Sequence, residues 1–255
     1  MRLIKGDCAV VLKEINSESI DLTVTSPPYD NLRDYDGYTF NFKAIANELL
    51  RVTKVGGVVV WVVSDGTVNG SETGTSFKQA LYFKEIGFNL HDTMIWAKDS
   101  FLFPDKTRYG QSFEYMFILS KGKPKAIHKI RDRKNKWAGT KVHGTSRDVD
   151  GTTFRKANDK RTTIKEYGER FNVWQLSGEK QNKTGHPAVF PISLARDHIL
   201  SWSDIGDTVL DPFMGSGTTG LASLELNRDF IGIEISDKYF EIAKCRLNNA
   251  QTTMF

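Results

Sequence analysis

Cysteine is nearly missing from this chain: Cys8 and Cys245 are the only two in 255 residues, far apart, with no CxxC spacing and no clustered histidines. Neither a disulfide framework nor a structural zinc site is supported, and both are expected to be plain buried thiols. His91, His128, His143 and His198 show no metal-ligand spacing and read as surface or packing residues, so no metal is implied. Long apolar runs are missing too. The longest, Val58 to Val63, falls far short of the roughly 20 residues a membrane-spanning helix needs, and Met1 to Asp7 lacks a signal-peptide core. No membrane partner and a cytoplasmic location are expected. With 39% hydrophobic and 26% charged residues, fibrous and wholly disordered classes are excluded, leaving a globular protein of one or two domains.

Charge is present but unevenly spread. The net charge is +4, yet residues 121–170 hold 16 Lys and Arg against 6 Asp and Glu, a local +10 that leaves −6 on the other 205 residues. A concentrated basic segment suits a phosphate backbone, because each cation that neutralises a phosphate releases counterions. A solvated surface insertion would have the same composition, so charge alone does not name the partner. Arg131, Arg133, Lys136, Trp137, Arg147, Arg155 and Arg161 are the candidates here for groove or phosphate contacts.

Outside that segment the pattern alternates strand and helix. Arg2 to Lys5 reads as a strand, Asp7 as the cap of a helix running to about Ile15, and Asp21 to Thr25 as a strand stopped by Pro27-Pro28. Phe42, Ile45, Ala46, Leu49 and Leu50 recur at helical spacing; Gly56-Gly57 is expected to end that helix and feed the buried strand Val58–Val63. Ser64 to Ser76 reads as a loop, with a helix from about Phe77 to Ile86 and strands at Asp92–Ala97 and Tyr115–Leu119. Periodicity fades through the basic stretch. It returns with a helix at Ile192–Trp202, a strand at Thr208–Leu210, a helix at Thr218–Leu226, a strand at Phe230–Ile235 and a helix at Lys238–Asn248. There is no internal repeat. The class is α/β, with boundaries at 1–120, 121–171 and 172–255.

Two turns carry chemistry. Asp211 to Gly220 joins a strand to a helix, the place where doubly wound sheets bind nucleotide-like ligands. Gly215, Gly217 and Gly220 satisfy GxGxxG, but Asp211 and Pro212 stand where a dinucleotide fingerprint would run straight from strand to glycine. Asp211 would repel a pyrophosphate and attract a cationic amino-acid tail. Glu234, ending the next strand, has the geometry to accept both ribose hydroxyl protons. A turn serving only packing would leave those two carboxylates unexplained. S-adenosylmethionine is the ligand they suggest.

The second turn, Thr25-Ser26-Pro27-Pro28-Tyr29, lacks two backbone donors and points rigid carbonyls outward beside an aromatic ring. Acceptors that hold the hydrogens of an exocyclic amine help a nitrogen conjugated with its ring to pyramidalise. Tyr29 has the means to stack on the same base. Pro-Pro-Tyr also serves as a structural stop or a linear motif, so its weight comes from sharing a chain with the glycine turn.

Together these pieces resemble the amino-methylating DNA methyltransferases. Residues 25–29 resemble the family's (D/N/S)PP(Y/F) catalytic motif, and Asp211 to Thr219 its FxGxG cofactor motif through Phe213, Gly215 and Gly217. His186-Pro187-Ala188-Val189-Phe190-Pro191 resembles the segment that packs beside methionine, and Gly6-Asp7 the opening turn that contacts adenine. Catalytic motif first, basic region in the middle and cofactor motif last is the order of the beta group. The resemblance covers residues 1–120 and 172–250; residues 121–170 match by position and charge alone.

The resemblance implies a Rossmann-like, seven-stranded, mostly parallel sheet with a basic target-recognition insertion. It also implies S-adenosyl-L-methionine as cofactor and double-stranded DNA as partner. Ser26, Pro27, Pro28 and Tyr29 would be catalytic, with Ser26 and the Pro27 carbonyl on the target amine and Tyr29 on the extruded base. Asp7 would meet the adenine, Glu234 the ribose, and Asp211, Pro212, Phe213, Gly215, Ser216 and Gly217 the methionine end. His186, Pro187 and Phe190 would wall that pocket. Thr218 and Ser236 are lesser contacts or helix caps. Neither cysteine lies in a Pro-Cys context, which disfavours C5-methylation. Ser26 leans the product to N4-methylcytosine, because adenine relatives mostly carry Asp or Asn there; N6-methyladenine is the alternative. A homodimer and a companion restriction endonuclease stay open. A nicotinamide oxidoreductase would leave the diproline turn without a role, and a non-catalytic DNA-binding protein would leave both carboxylates without one. RNA or protein-glutamine methyltransferases are the remaining competitors.

Overall fold

The computed structural model describes residues 1–28, 40–99, 107–141, 145–155, 163–177 and 190–254. In chain order its elements are β1 (Arg2–Lys5), α1 (Cys8–Val11), β2 (Ile20–Thr25), α2 (Phe42–Val52), β3 (Thr53–Val63), a hairpin of β4 (Thr67–Val68) and β5 (Ser71–Glu72), α3 (Thr75–Ile86), β6 (Asn89–Ala97) and β7 (Phe113–Ser120). The middle of the chain supplies β8 (Arg133–Lys134), β9 (Thr145–Arg147), β10 (Thr153–Arg155) and β11 (Tyr167–Gly168). There follow β12 (Val173–Gln175), α4 (Ile192–Trp202), β13 (Thr208–Asp211), α5 (Thr218–Glu225), β14 (Asp229–Glu234) and α6 (Asp237–Met254).

Two compact units result, residues 1–128 with 172–255, and residues 129–171. The first is built on one sheet in the order β1-β14-β13-β2-β3-β7-β6-β12. Every neighbouring pair is parallel except those that β7 makes with β3 and β6. Val58 to Val63 are buried on both faces, which is why this run does not alternate. On one face Trp61 meets Phe83 edge-on at 5.2 Å and donates its indole hydrogen to Gln79 Oε1 at 2.8 Å. Met116 belongs to the opposite alternation of β7, and there His198 stacks on Trp174 at 4.5 Å with its Nε2 3.2 Å from the Met116 sulfur. The second unit holds the antiparallel pairs β8–β11 and β9–β10. Among the described residues no helix is long and apolar enough to cross a membrane.

Four expectations change. Ser64 to Ser76, read as a loop, holds the β4–β5 hairpin and the first two residues of α3. Among the described residues the sheet has eight strands, because Val173–Gln175 adds itself alongside β6, a run too short for periodicity to reveal. The Gly56-Gly57 pair lies inside β3; α2 ends earlier, where the Thr53 hydroxyl donates to the Leu49 carbonyl at 2.6 Å. Cys245 is exposed, because α6 turns Ala243 and Leu247 inward, one helical turn apart, and that leaves position 245 on the far side.

Candidate active site

Four strand ends that are remote in sequence lie side by side. The order β1-β14-β13-β2 brings the carboxyl ends carrying Asp7, Glu234, Asp211 and Ser26 to one edge of the sheet. The chain leaves β13 through α5 for β14 on one side and leaves β2 through α2 for β3 on the other. The gap between β13 and β2 is therefore the topological switch point, where open α/β sheets take their ligands.

Asp211 sits in that gap, 2% exposed. Its Oδ1 accepts from the Thr25 hydroxyl at 2.7 Å and from the Phe213 amide at 3.1 Å, and its Oδ2 from the Thr219 hydroxyl at 2.7 Å. Three of roughly four acceptor positions are thus filled, leaving one for a cationic ligand. Burial pushes its carboxyl up to about 6; the three donors oppose that rise and the charge of Glu234 adds to it. Glu234 is also raised by burial, against donors from the backbone. Its two oxygens accept from the Gly215 and Ser236 amides, both at 2.8 Å, so the carboxylate at the end of β14 holds the glycine turn in place.

That turn needs its glycines. Gly215 and Gly217 stand at φ +52° and +84°, in the left-handed region that costs other L residues energy. Gly217 occupies the N-cap position of α5, so Thr218 opens the helix without capping it. Pro212, Gly215, Ser216 and Thr218 are buried, and Phe213 packs edge-on against Phe40 at 5.6 Å. Asp7 caps α1, its Oδ1 accepting from the Ala9 amide at 2.9 Å, and the neighbouring Gly6 amide donates to the Glu234 carbonyl at 3.0 Å. The Ser236 carbonyl accepts the first bond of α6, from Phe240 at 2.9 Å, the backbone pattern of a cap. Ser26 and Pro28 are half-buried and Pro27 is buried. Phe190 is half-buried just ahead of α4, and Tyr29, His143, Arg161, His186 and Pro187 lie outside the described residues.

Two buried carboxylates at adjacent strand ends and a left-handed glycine turn fit a nucleoside that carries hydroxyls and a positive charge, and disfavour a pyrophosphate. S-adenosylmethionine meets that description.

Sequence reading missed three members of this cluster. Thr25 and Thr219 hold Asp211, and the Arg246 guanidinium of α6 donates to the Ser216 carbonyl. For Thr25, a threonine in a strand reads as ordinary β-branched filling, and no local pattern marks a partner 186 residues away.

In the second unit the basic residues divide. Arg131 and Lys129 pair with Glu169 at 3.4 and 3.0 Å, Arg170 pairs with Asp132, and the Arg133 guanidinium lies 4.4 Å over the Phe171 ring. These contacts hold the Glu169 and Asp132 carboxyls below their usual range. Lys134, Lys136 and Arg147 are exposed, and Trp137, 63% exposed, carries the Lys136 ammonium over its ring at 5.4 Å. Arg155 lies in β10.

Comparison with known proteins agrees with this geometry. The N6_N4_Mtase family model, described as DNA methylase, matches residues 20–245. The orphan methyltransferase M.BamHII of Bacillus amyloliquefaciens is 59% identical over 252 residues, covering 96% of this chain and 91% of that protein. The DNA adenine methyltransferase YhdJ of Escherichia coli strain K12 is 28% identical over 270 residues, covering 97% of this chain and 83% of that one. Among solved structures, the DNA modification methylase TTHA0409 of Thermus thermophilus, complexed with S-adenosyl-L-methionine, matches with a TM-score of 0.67 at 26% identity, over 98% of this chain and 93% of that one.

Proposed function

This chain belongs to the N6_N4_Mtase family of DNA methylases, and from that premise we propose that it methylates N4 of cytosine in double-stranded DNA at a specific site. It is a DNA methyltransferase that uses S-adenosylmethionine. The observation that carries the finer reading is the serine-led diproline turn directly beyond β2, set against Asp211 of β13 by the Thr25 hydroxyl. The cofactor, when bound, supplies an electrophilic methyl group on a sulfonium.

Everything else falls to the protein. Asp211 offers its remaining acceptor position to the amino-acid end of the cofactor. Glu234 fixes the glycine turn and offers its outer lone pairs to the ribose hydroxyls. Asp7, at the end of β1, faces the adenine. The target base leaves the duplex, since its amine is paired and out of reach in the stack. Ser26 and the Pro27 carbonyl then hold the hydrogens of that amine, which turns the nitrogen lone pair out of the ring plane. Tyr29 stacks on the base.

Residues 129–171 bind the duplex. Lys134, Lys136, Arg147 and Trp137 are better placed for this than Arg131, which Glu169 already occupies. M.BamHII is named an orphan methyltransferase, and that likeness favours a solitary enzyme over one paired with an endonuclease. YhdJ is named an adenine enzyme, which makes N6-methyladenine the competing product.

Mass spectrometry of nucleosides from DNA treated with the protein and cofactor tests the choice. N4-methylcytosine is the expected product, and N6-methyladenine without it overturns the cytosine reading.

A further inference from the structure

We propose that Thr25 is a positioning residue of the methyl transfer: its hydroxyl, clamped on Asp211, sets the Ser26-Pro27-Pro28 turn at a fixed place relative to the methionine end of the cofactor site. The inference rests on the reading of this cleft as a methyl-transfer site.

Three observations support it. The Thr25–Asp211 hydrogen bond is buried, 2.7 Å long, and joins the last residue of β2 to the last residue of β13, across the switch point. Beyond Thr25 the chain has little freedom, because Ser26 precedes a proline and is restricted to extended backbone, and the prolines lock φ at the next two positions. A displacement at Thr25 therefore passes undamped to the groups that meet the target amine. Thr219, from the first turn of α5, holds the other carboxylate oxygen at 2.7 Å and reaches the Val24 carbonyl of β2 at 3.3 Å, but the diproline turn does not follow it in the chain as it follows Thr25. The two threonines share a carboxylate and differ in what they carry.

The groups facing Asp211 are the Thr25 hydroxyl from β2, the Thr219 hydroxyl from α5, the Phe213 amide and the charge of Glu234 from β14. Both hydroxyls stabilise the ionised carboxylate, the form that holds a cation. Removing either one raises the pKa of Asp211 and moves the acid limb of cofactor binding to higher pH.

The test compares wild type with Thr25→Val, Thr25→Ser and Thr219→Val, all checked for an unchanged circular dichroism spectrum. In the ligand-free protein the carbon-13 carboxyl resonance of Asp211 should titrate about one unit higher in Thr25→Val and in Thr219→Val. Cofactor affinity measured without DNA should show the same upward move of its acid limb. At saturating cofactor Thr25→Val should lower kcat on DNA by about ten- to a hundredfold, as expected when reacting groups are misplaced, and by more than Thr219→Val does. Thr25→Ser keeps the hydroxyl and should restore all three readouts. A Thr25→Val protein with an unmoved Asp211 titration, or with a kcat no lower than that of Thr219→Val, overturns the positioning role. A wild type that binds the cofactor and methylates no DNA overturns the proposed function instead and leaves the titration result standing on its own.

Discussion

The carboxylate of Asp211 is held at a cost. Its folded pKa, about 6, exceeds the ordinary 3.8, so between these values the folded state binds the proton more tightly than the unfolded chain does. The contribution of this group is thus most favourable below pH about 4, declines as pH rises towards about 6 and stays at its lowest above that. Asp211→Asn removes the decline. The unfolding free energy of the variant, relative to wild type, should rise by up to about 3 kcal/mol between pH 4 and pH 7 in urea melts. Cofactor binding should be lost in the same variant, and a difference independent of pH would contradict the assignment. Asp211 and Glu234 were legible in the sequence because a carboxylate at the end of a buried strand is unusual. Thr25 was not, since its role exists only once two strands separated by most of the chain lie side by side, and Thr219 was not, since nothing in the spacing of a helical threonine marks a bond back across the glycine turn to Asp211.

Helices and strands were legible where periodicity was long. α4 matches its predicted span residue for residue, β13 runs one residue longer than expected, and β14 is shifted by one residue at both ends. Mistakes cluster where a local signal was overridden by a tertiary one. A glycine pair that would stop a helix was absorbed into β3, where the strand register shifts between Ile20 and Leu22 of its neighbour. The first turn of α5 shows the reverse case, a glycine whose need is tertiary. A methyl group on Gly220 would come within 2.7 Å of the Phe230 ring and 2.8 Å of Leu247 Cδ2, both buried. Gly220→Ala gains about 1 kcal/mol of helix propensity and forces a rigid aromatic to move, at roughly 1–3 kcal/mol. A net loss of up to about 2 kcal/mol in urea unfolding is expected. Cofactor affinity should weaken with it, because α5 carries Thr219. A stabilised variant would show that the Phe230 side yields more easily than its burial implies.

Charge shapes behaviour across the whole molecule. Residues 129–171 hold 13 Lys and Arg against 6 Asp and Glu, while the unit that contains the cofactor motif is net acidic. Replacing Lys134, Lys136 and Arg147 together with Gln should flatten the slope of log affinity for duplex DNA against log salt by about 2–3 and weaken binding for every sequence alike. Arg131→Gln should change that slope by less, because Glu169 already pairs with Arg131. Equal effects of the two variants in a salt titration would refute this division of labour.

The sheet order has a consequence for synthesis. β2 is a central strand whose Leu22 and Val24 are fully buried, yet its neighbour β13 is encoded more than 180 residues later. A ribosome that has made the first two hundred residues has released β2, β3, β6 and β7 with one flank of β2 bare. Such a flank invites pairing with any other strand. The nascent chain must therefore carry its diproline turn on an unfinished edge until β13 emerges.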